Sequence, residues 1–255
     1  MADIFELFKQ IGANKPALSA GSAEYIVACL GNPGRQYENT RHNVGFIAAD
    51  IIAEKRGFKI DRLRFQSLTG ECMVSGKKVL FLKPSTFMNL SGQAVVEAMN
   101  FYKVPIERVI VIHDDVSLSP GRLRIRPHGS HGGHNGLKNI IYLTGKDTFP
   151  RIKIGVGEKP HPDYDMADWV LGIPAPEERK LIGQAILKTN EIVELLVTGR
   201  LDEAMNRYET FRHFRAFHTI SSACQGGIRR EYPLWLRWAF SHSQSAFCVR
   251  PATAF

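Results

Sequence analysis

The chain has 255 residues, of which 44% are hydrophobic and 23% charged, with a formal net charge of +8 at pH 7. That length allows one sizeable α/β domain with a buried core, or two small ones. No apolar run approaches the roughly 18–20 residues of a membrane span, and the first residues lack the basic and apolar regions of a signal peptide. We therefore expect a cytoplasmic protein that is not embedded in a membrane.

The positive charge is concentrated near the end of the chain. Residues 212–255 contain six arginines and one glutamate, so they carry +5 of the net +8, and residues 1–211 carry only +3. An RNA-binding function must therefore be argued from individual residues and not from the isoelectric point. The four cysteines show no CxxC spacing and no paired framework, which favours reduced thiols.

The first half of the chain predicts strands interleaved with helices, from apolar periodicity and from glycine and proline positions. The predicted features are a short helix at 4–11, a polar linker at 14–22, a buried strand at 25–30, a Gly-Asn-Pro-Gly loop at 31–34, a helix at 44–52 that stops by Gly57, a hairpin of strands at 68–75 and 78–82, and a helix at 90–101.

The second half continues the same alternation, which indicates an α/β fold. The predicted features are a central strand at 108–112, a half-exposed strand at 123–126 with Arg124 and Arg126 on one face, a helix at 135–143, a strand at 152–156, a Gly/Pro-rich loop at 157–165, and a helical apolar pattern that begins at 174–178 and runs through Val197.

His42 is the candidate general base, because an unperturbed imidazole can both accept and release a proton near neutral pH. Asp114 follows the predicted central strand, and the carboxyl ends of strands carry ligand-binding groups in α/β folds. Its carboxylate could accept the other imidazole N–H and fix the tautomer. The alternatives are a surface or capping histidine and an ordinary turn aspartate. Asp115 is interpreted as structural.

Three asparagines are candidate polar groups of the same site. Asn32, Asn89 and Asn135 can donate and accept hydrogen bonds at once without carrying a charge that would perturb a base. Spacing alone favours simpler roles, namely a turn residue for Asn32 and helix N-caps for Asn89 and Asn135.

Five segments together resemble bacterial peptidyl-tRNA hydrolases, over about residues 25–211. They occur in the order of that family and at similar separations: Gly31-Asn32-Pro33-Gly34, Thr40-Arg41-His42-Asn43, Thr-Phe-Met-Asn-Leu-Ser-Gly at 86–92, His113-Asp114, and Gly-Gly-His-Asn-Gly-Leu-Lys at 132–138. The resemblance implies one α/β domain at 25–211 whose twisted, mixed, largely parallel sheet is flanked by helices. Residues 1–24 would then be a leader and linker, and 212–255 an atypical extension.

The resemblance also implies a monomeric enzyme that hydrolyses the ester between tRNA and a peptide or N-blocked aminoacyl group, with no cofactor. His42 would be the catalytic base and Asp114 would stabilise it. Asn32 would help to distinguish blocked from free aminoacyl ends, and Asn89 and Asn135 would bind substrate and water. Further substrate contacts are implied for Tyr37, Asn43, Phe87 and Met88, and contacts to a tRNA phosphate for Arg124, Arg126, Arg151 and Lys153.

Two other classes of function are weighed against this one. A non-catalytic RNA-binding protein would use the basic strand and the aromatic residues. A metal-dependent hydrolase would use His113, His131 and His134, but no HxxxH or HExxH pattern supports it, so we expect no metal. The role of these histidines, and whether the loop at 157–165 acts as a lid, are left open.

From Ala216 onward the sequence changes character, with no lysine, no aspartate and no clear periodicity. One hypothesis is a frame change in the source gene or a fused sequence. The rival hypothesis is a basic, aromatic-bearing arm that binds RNA.

Overall fold

The computed structural model describes residues 22–209. The predicted helix at 4–11, most of the linker that follows it and the extension at 212–255 lie outside the described residues, so the predicted domain bounds stay predictions. Within residues 22–209, no helix is both long enough and apolar enough to cross a membrane.

Strands and helices alternate along most of the described chain. The strands are β1 (Tyr25–Cys29), β2 (Arg62–Arg64), β3 (Ser67–Val74), β4 (Lys77–Pro84), β5 (Val109–Asp115), β6 (Leu123–Arg126) and β7 (Arg151–Gly155). The helices are α1 (Val44–Arg56), α2 (Ser91–Tyr102), α3 (Asn135–Thr144), α4 (Met166–Leu171), α5 (Pro176–Ile186), α6 (Thr189–Val197) and α7 (Leu201–Glu209). Short 3-10 helices cover Arg35–Tyr37, Arg41–Asn43, Met88–Leu90 and Ile106–Arg108.

In the described part of the chain, seven strands form one mixed sheet in the order β2-β3-β4-β1-β5-β7-β6. The central strands β4, β1, β5 and β7 are parallel, while β2, β3 and β6 pair antiparallel with their neighbours. The predicted fold class is therefore confirmed. Since β4 lies on one side of β1 and β5 on the other, the strand order switches at β1, where α/β sheets usually place a binding crevice.

The sheet is buried on both faces, and β5 shows how its sequence produces this. Ile110 and Ile112 join the apolar layer under α1, α5, α6 and α7, whereas Val109 and Val111 join the layer under α2 and α3. A continuous apolar run is what a parallel strand covered on both faces requires. The run gives way to polar residues at His113, so the carboxyl end of β5 is chemically distinct from the rest of the strand.

Gly45 lets α1 start unusually close to the sheet. A Cβ atom at this position would lie 2.3 Å from the carbonyl oxygen of Leu30 and 2.7 Å from that of Ile112. Because these distances are shorter than any real contact, only glycine allows the first turn of α1 to rest on the ends of β1 and β5. His42 precedes this turn and Asp114 is the second-last residue of β5, so the packing sets the separation of His42 and Asp114.

The structure differs from the sequence prediction in several elements. The apolar pattern from 174–178 through Val197 forms two helices, α5 and α6, and Thr189 donates its hydroxyl to Ile186 O at the break. β2, α4 and α7 were not predicted, since each is short and has no long apolar period of its own. The other predicted strands and helices within 22–209 are confirmed, with ends shifted by a few residues.

Candidate active site

A cavity of about 710 Å³ opens at the carboxyl ends of the central strands. It brings together residues from loops that are far apart in sequence. The predicted site residues that line it are Asn32, Tyr37, His42, Phe87, Met88, Asn89, Asp114, Asn135 and Lys153.

His42 and Asp114 form a direct pair at the floor of this cavity. The Nδ1 atom of His42 lies 2.9 Å from one carboxylate oxygen of Asp114 and 3.0 Å from the other, and both residues are buried. Since a carboxylate only accepts, Nδ1 carries the proton and donates it, which leaves Nε2 as the nitrogen with a free lone pair. Burial alone would lower the pKa of His42, but the charge and hydrogen bond of Asp114 outweigh it and raise the pKa above its usual value of 6.5.

His134 is a second imidazole on the same carboxylate, and sequence reasoning left its role open. Its Nε2 lies 3.1 Å from Asp114 Oδ1, while its Nδ1 accepts the N–H of Leu137 at the start of α3. The accepting nitrogen must be unprotonated, so the proton of a neutral ring lies on Nε2 and points to Asp114. Burial would raise the pKa of Asp114, but attraction to His42 and His134 and their hydrogen bonds hold it well below its usual range.

The same three residues are the described group that could hold a metal ion. The ligand atoms of His42, Asp114 and His134 all lie within 4.8 Å of one another. A metal at His134 Nε2 would require that nitrogen to lose its proton while Nδ1 still accepts from Leu137, and one neutral ring cannot satisfy both. The hydrogen-bonding pattern therefore disfavours a metal at this position.

Asn32 is oriented by its neighbours and presents a hydrogen-bond donor. Its Oδ1 accepts the N–H of Met88 at 2.8 Å, which directs the NH₂ group toward the cavity that Asn32 lines. Asn43 holds the backbone of Asn32 from both sides, accepting its N–H at 2.8 Å and donating to its carbonyl at 2.9 Å. Asn43 is buried and does not line the cavity, so the predicted substrate contact of Asn43 is corrected to a positioning role.

Asn89 and Asn135 are not the helix caps that spacing alone favoured. The residue preceding α3 is His134, whose side chain caps the helix, and α2 is preceded by Leu90. Both asparagine side chains are exposed, line the cavity and make no hydrogen bond within residues 22–209. Their amides are therefore available to a ligand.

The four predicted phosphate-binding residues lie in very different environments. Arg124 faces Lys153 across the antiparallel pair of β6 and β7, and both are partly exposed. Lys153 lines the cavity and pairs with Asp115 at 2.9 Å. Arg126 is partly exposed and donates to Glu209 at 2.5 Å. These cations mark a basic side of the cavity near β7.

Arg151 does not fit the phosphate contact predicted for it. It is fully buried, stacks on Phe149 and donates to the backbone carbonyls of Ser130 and Asp147 at 3.0 and 2.9 Å. A phosphate could not reach its guanidinium without breaking these contacts. The prediction is corrected: Arg151 fixes the start of the glycine-rich loop that leads to His134.

One wall of the cavity was missed by the sequence analysis. Met166, Ala167, Val170 and Leu171 line it from α4, a six-residue helix with no periodic signal long enough to recognise. Phe87, 57% exposed, also lines the cavity and was predicted as a substrate contact. The cavity therefore has an apolar wall as well as a basic side.

A mixed α/β sheet with a buried histidine–carboxylate pair beside a deep cavity is typical of hydrolytic enzymes that activate water or a hydroxyl group. Comparisons with known proteins identify the family. The family model for peptidyl-tRNA hydrolase matches residues 26–215. The chain belongs to the peptidyl-tRNA hydrolase family.

Individual relatives agree with this assignment. Over 184 residues the chain is 50% identical to a peptidyl-tRNA hydrolase of Caldanaerobacter subterraneus subsp. tengcongensis, which covers 72% of this chain and 98% of that protein. A peptidyl-tRNA hydrolase of Agathobacter rectalis is 49% identical over 185 residues, with 72% and 99% covered. The crystal structure of peptidyl-tRNA hydrolase from Acinetobacter baumannii matches with a TM-score of 0.70 and 35% identity, over 76% of this chain and 98% of that one.

Proposed function

We propose that this protein hydrolyses the ester bond between a peptide, or an N-blocked aminoacyl group, and the terminal ribose of tRNA, with His42 as the general base. The observation that carries the proposal is the pairing of His42 Nδ1 with both oxygens of Asp114 at 2.9 and 3.0 Å, which leaves Nε2 free at the cavity. The substrate is inferred from membership of the family, and the geometry supports the catalytic roles assigned to His42 and Asp114.

The reaction proceeds through proton transfer at Nε2 of His42. This nitrogen takes a proton from a water molecule as the water oxygen attacks the ester carbonyl. The tetrahedral intermediate then expels the ribose oxygen, and the His42 imidazolium returns the proton to it. The products are a tRNA hydroxyl and a free carboxylic acid, which loses its remaining proton to solvent. Asp114 stabilises the imidazolium throughout, and such general base catalysis contributes about 10²–10⁴-fold.

Asn89 and Asn135 provide the uncharged donors for the developing oxyanion. Both side chains line the cavity and have no partner in the described part of the chain. A positioned donor of this kind contributes roughly 10²–10³-fold in kcat. A neutral amide suits the task because it does not lower the basicity of His42.

Selectivity for blocked ends is assigned to Asn32. The NH₂ group of Asn32 is the part of its amide left free once Met88 occupies Oδ1. It donates to the carbonyl of the blocking group, but it opposes the ammonium group of a free aminoacyl end, because two hydrogen-bond donors cannot pair with each other. Asn32→Ala is therefore expected to cleave unblocked aminoacyl-tRNA, and the ratio of kcat/KM for blocked and free substrates measures this.

The tRNA end of the substrate lies on the basic side of the cavity, near Lys153 and Arg124. Lys153 lines the cavity, and Arg124 lies opposite it in the sheet. Tyr37 and Phe87 line the cavity and offer ring faces for the unpaired 3′ end or the peptide. We assign the protein to the cytoplasm as a monomer that needs no metal or cofactor.

One assay separates this function from its alternatives. Purified protein is incubated with N-blocked aminoacyl-tRNA, and the released acid is measured with and without EDTA. Turnover that persists in EDTA supports the proposal, and loss of turnover with chelator supports a metal-dependent hydrolase. Binding of tRNA without any release of acid would support a non-catalytic RNA-binding protein.

A further inference from the structure

Residues 157–172 form an excursion from the sheet between β7 and α5, and α4 at its end forms the apolar wall of the cavity. Arg41, the residue directly before His42, is 5% exposed and contacts this excursion. Its guanidinium lies 3.6 Å from the centroid of the Trp169 ring in α4. A buried charge needs compensating contacts. The proton transfer assigned to His42 does not use the Arg41 guanidinium, so these contacts serve another role.

One end of the excursion is held by Trp169 and the other by Arg41, and these two residues stack on each other. At the first end, the indole Nε1 of Trp169 donates to the carbonyl of Gly157 at 2.9 Å. At the second end, the backbone N–H of Arg41 donates to the carbonyl of Gly172 at 3.1 Å. Arg41 and Trp169, stacked on each other, therefore connect Gly157 and Gly172 to the segment that carries His42.

Glu178 in the first turn of α5 completes the arrangement. Its carboxylate pairs with Arg41 at 2.9 Å, and the same oxygen accepts the N–H of Ala175 at 3.0 Å. The Arg41 side chain in this pair is 6% exposed and that of Glu178 30%, so the contact is shielded from solvent on one side only. Charge-assisted hydrogen bonds to a planar guanidinium are both stronger and more directional than those to an ammonium group.

We propose that Arg41 is a positioning residue that locks α4 to the segment bearing His42, through Trp169 and Glu178, so that the apolar wall and the catalytic base keep a fixed spacing. This inference rests on the proposed function. It assigns the wall to the acyl part of the substrate, because Met166 and Leu171 offer apolar surface there, with exposures of 43% and 36%, while the cations lie near β7. The lock thus governs how apolar acyl groups bind, and not the proton transfer itself.

Two conservative substitutions weaken the lock without removing its bulk. Arg41→Lys keeps the charge but cannot stack on Trp169 and reach Glu178 together. Trp169→Phe keeps an aromatic ring but removes the N–H that binds Gly157. Arg56→Lys is the matched control, since Arg56 is also ion-paired and mostly buried, 3.0 Å from Glu194, and does not line the cavity.

The test compares N-blocked leucyl-tRNA with N-blocked glycyl-tRNA. Both lock variants are expected to raise KM for the leucyl substrate roughly five- to tenfold, which corresponds to the loss of one well-oriented hydrogen bond or stacking contact. We expect KM for the glycyl substrate, kcat for both substrates and the pH dependence of kcat to change by less than about twofold. The Arg56→Lys protein should match the wild type throughout.

A double mutant and an exchange measurement complete the test. If Arg41 and Trp169 act as one unit, the double variant loses no more than the worse single variant. Hydrogen exchange at residues 166–172 should become faster in the lock variants while exchange in β1 and β5 stays unchanged. If Arg41→Lys does not fold, Trp169→Phe and Glu178→Gln carry the same comparisons.

The outcomes separate this inference from the proposed function. Unchanged KM and unchanged exchange in the lock variants, additive losses in the double variant, or equal KM increases for leucyl and glycyl substrates would each overturn the lock while the wild type still hydrolyses its substrate. Absence of wild-type turnover would instead overturn the proposed function, and faster exchange at 166–172 would still support the lock.

Discussion

His42 is subject to two opposing effects on its pKa, and their balance defines its behaviour. Burial favours the neutral ring, whereas the charge and hydrogen bond of Asp114 favour the imidazolium, and Asp114 prevails. The base must be neutral to accept a proton from water. Asp114 therefore stabilises the imidazolium that forms during the reaction. Because it also raises the pKa, a higher pH is needed before His42 is neutral and able to accept a proton.

The pH dependence of activity follows from this balance. We expect kcat/KM to fall as pH drops through the raised pKa of His42, above 6.5. In Asp114→Asn the carboxylate charge is lost while burial remains, so the pKa falls and the acidic limb moves to lower pH, with a lower kcat at its plateau. Profiles of both proteins between about pH 5 and pH 9 measure this shift. An acidic limb at the same pH in both proteins would contradict the assignment.

Removal of the imidazole should separate chemistry from binding. His42→Ala is expected to lower kcat by about 10²–10⁴-fold while the affinity for tRNA stays within a few fold, because Lys153 and Arg124 are untouched. Single-turnover kinetics and equilibrium binding of N-blocked aminoacyl-tRNA check the two halves separately. Equal kcat in the variant and the wild type would show that His42 is not the base.

Strands β6 and β7 place the cations, and their register explains which of them remain accessible. Arg124 and Lys153 are cross-strand partners near the cavity, and Arg126 pairs with Arg151 two residues further along the strands. Because alternate residues share a face, all four lie on one face of the sheet, yet Phe149 and two backbone carbonyls enclose Arg151. Sequence spacing predicts the shared face but not the depth of burial.

Salt dependence tests the role of these two strands. Lys153→Ala is expected to weaken tRNA binding and to reduce the slope of log affinity against log salt by about one. Lys77→Ala is the control, because Lys77 is an exposed, ion-paired lysine at the opposite ends of the parallel strands, 2.9 Å from Glu24. If both variants bind tRNA with the wild-type salt slope, the β6–β7 surface is not the phosphate site.

The elements that carry long apolar runs or paired motifs could be predicted from the sequence, and the short ones could not. Asp114 lies at the carboxyl end of β5, and His42 lies in the loop between the neighbouring strand β1 and α1, so their meeting could be anticipated. The wall formed by α4 could not, because six residues between two loops carry no detectable period. The hydrogen bond from His134 to Asp114 was also missed. One nitrogen of His134 caps α3, and nothing in the sequence shows that the other nitrogen reaches a carboxylate 20 residues away.

The chain as a whole extends beyond the region that its relatives match. About 184 residues of this chain cover 98% of a relative, and the family model ends at residue 215, ahead of the segment whose composition changes. Among residues 22–209, those that line the cavity all lie between Asn32 and Leu171. The residues assigned to catalysis therefore all precede the terminal segment in sequence.

Truncation after Arg215 measures what that segment adds. We expect the shortened protein to keep kcat, and its affinity for tRNA to change by less than about threefold at physiological salt, because the residues assigned to binding are all retained. A loss of affinity of tenfold or more would instead support the hypothesis that the segment is a basic arm that binds RNA.

The close packing at Gly45 affects the catalytic pair as well as the fold. A single added methyl group there would push the helix outward from the strands, and the imidazole would retreat from its carboxylate with it. Gly45→Ala should consequently impair turnover severely even though no ionisable group, no ligand contact and no charge is altered. Turnover therefore depends on a residue that carries no reactive group, because only a hydrogen atom fits between α1 and the carbonyl oxygens of Leu30 and Ile112.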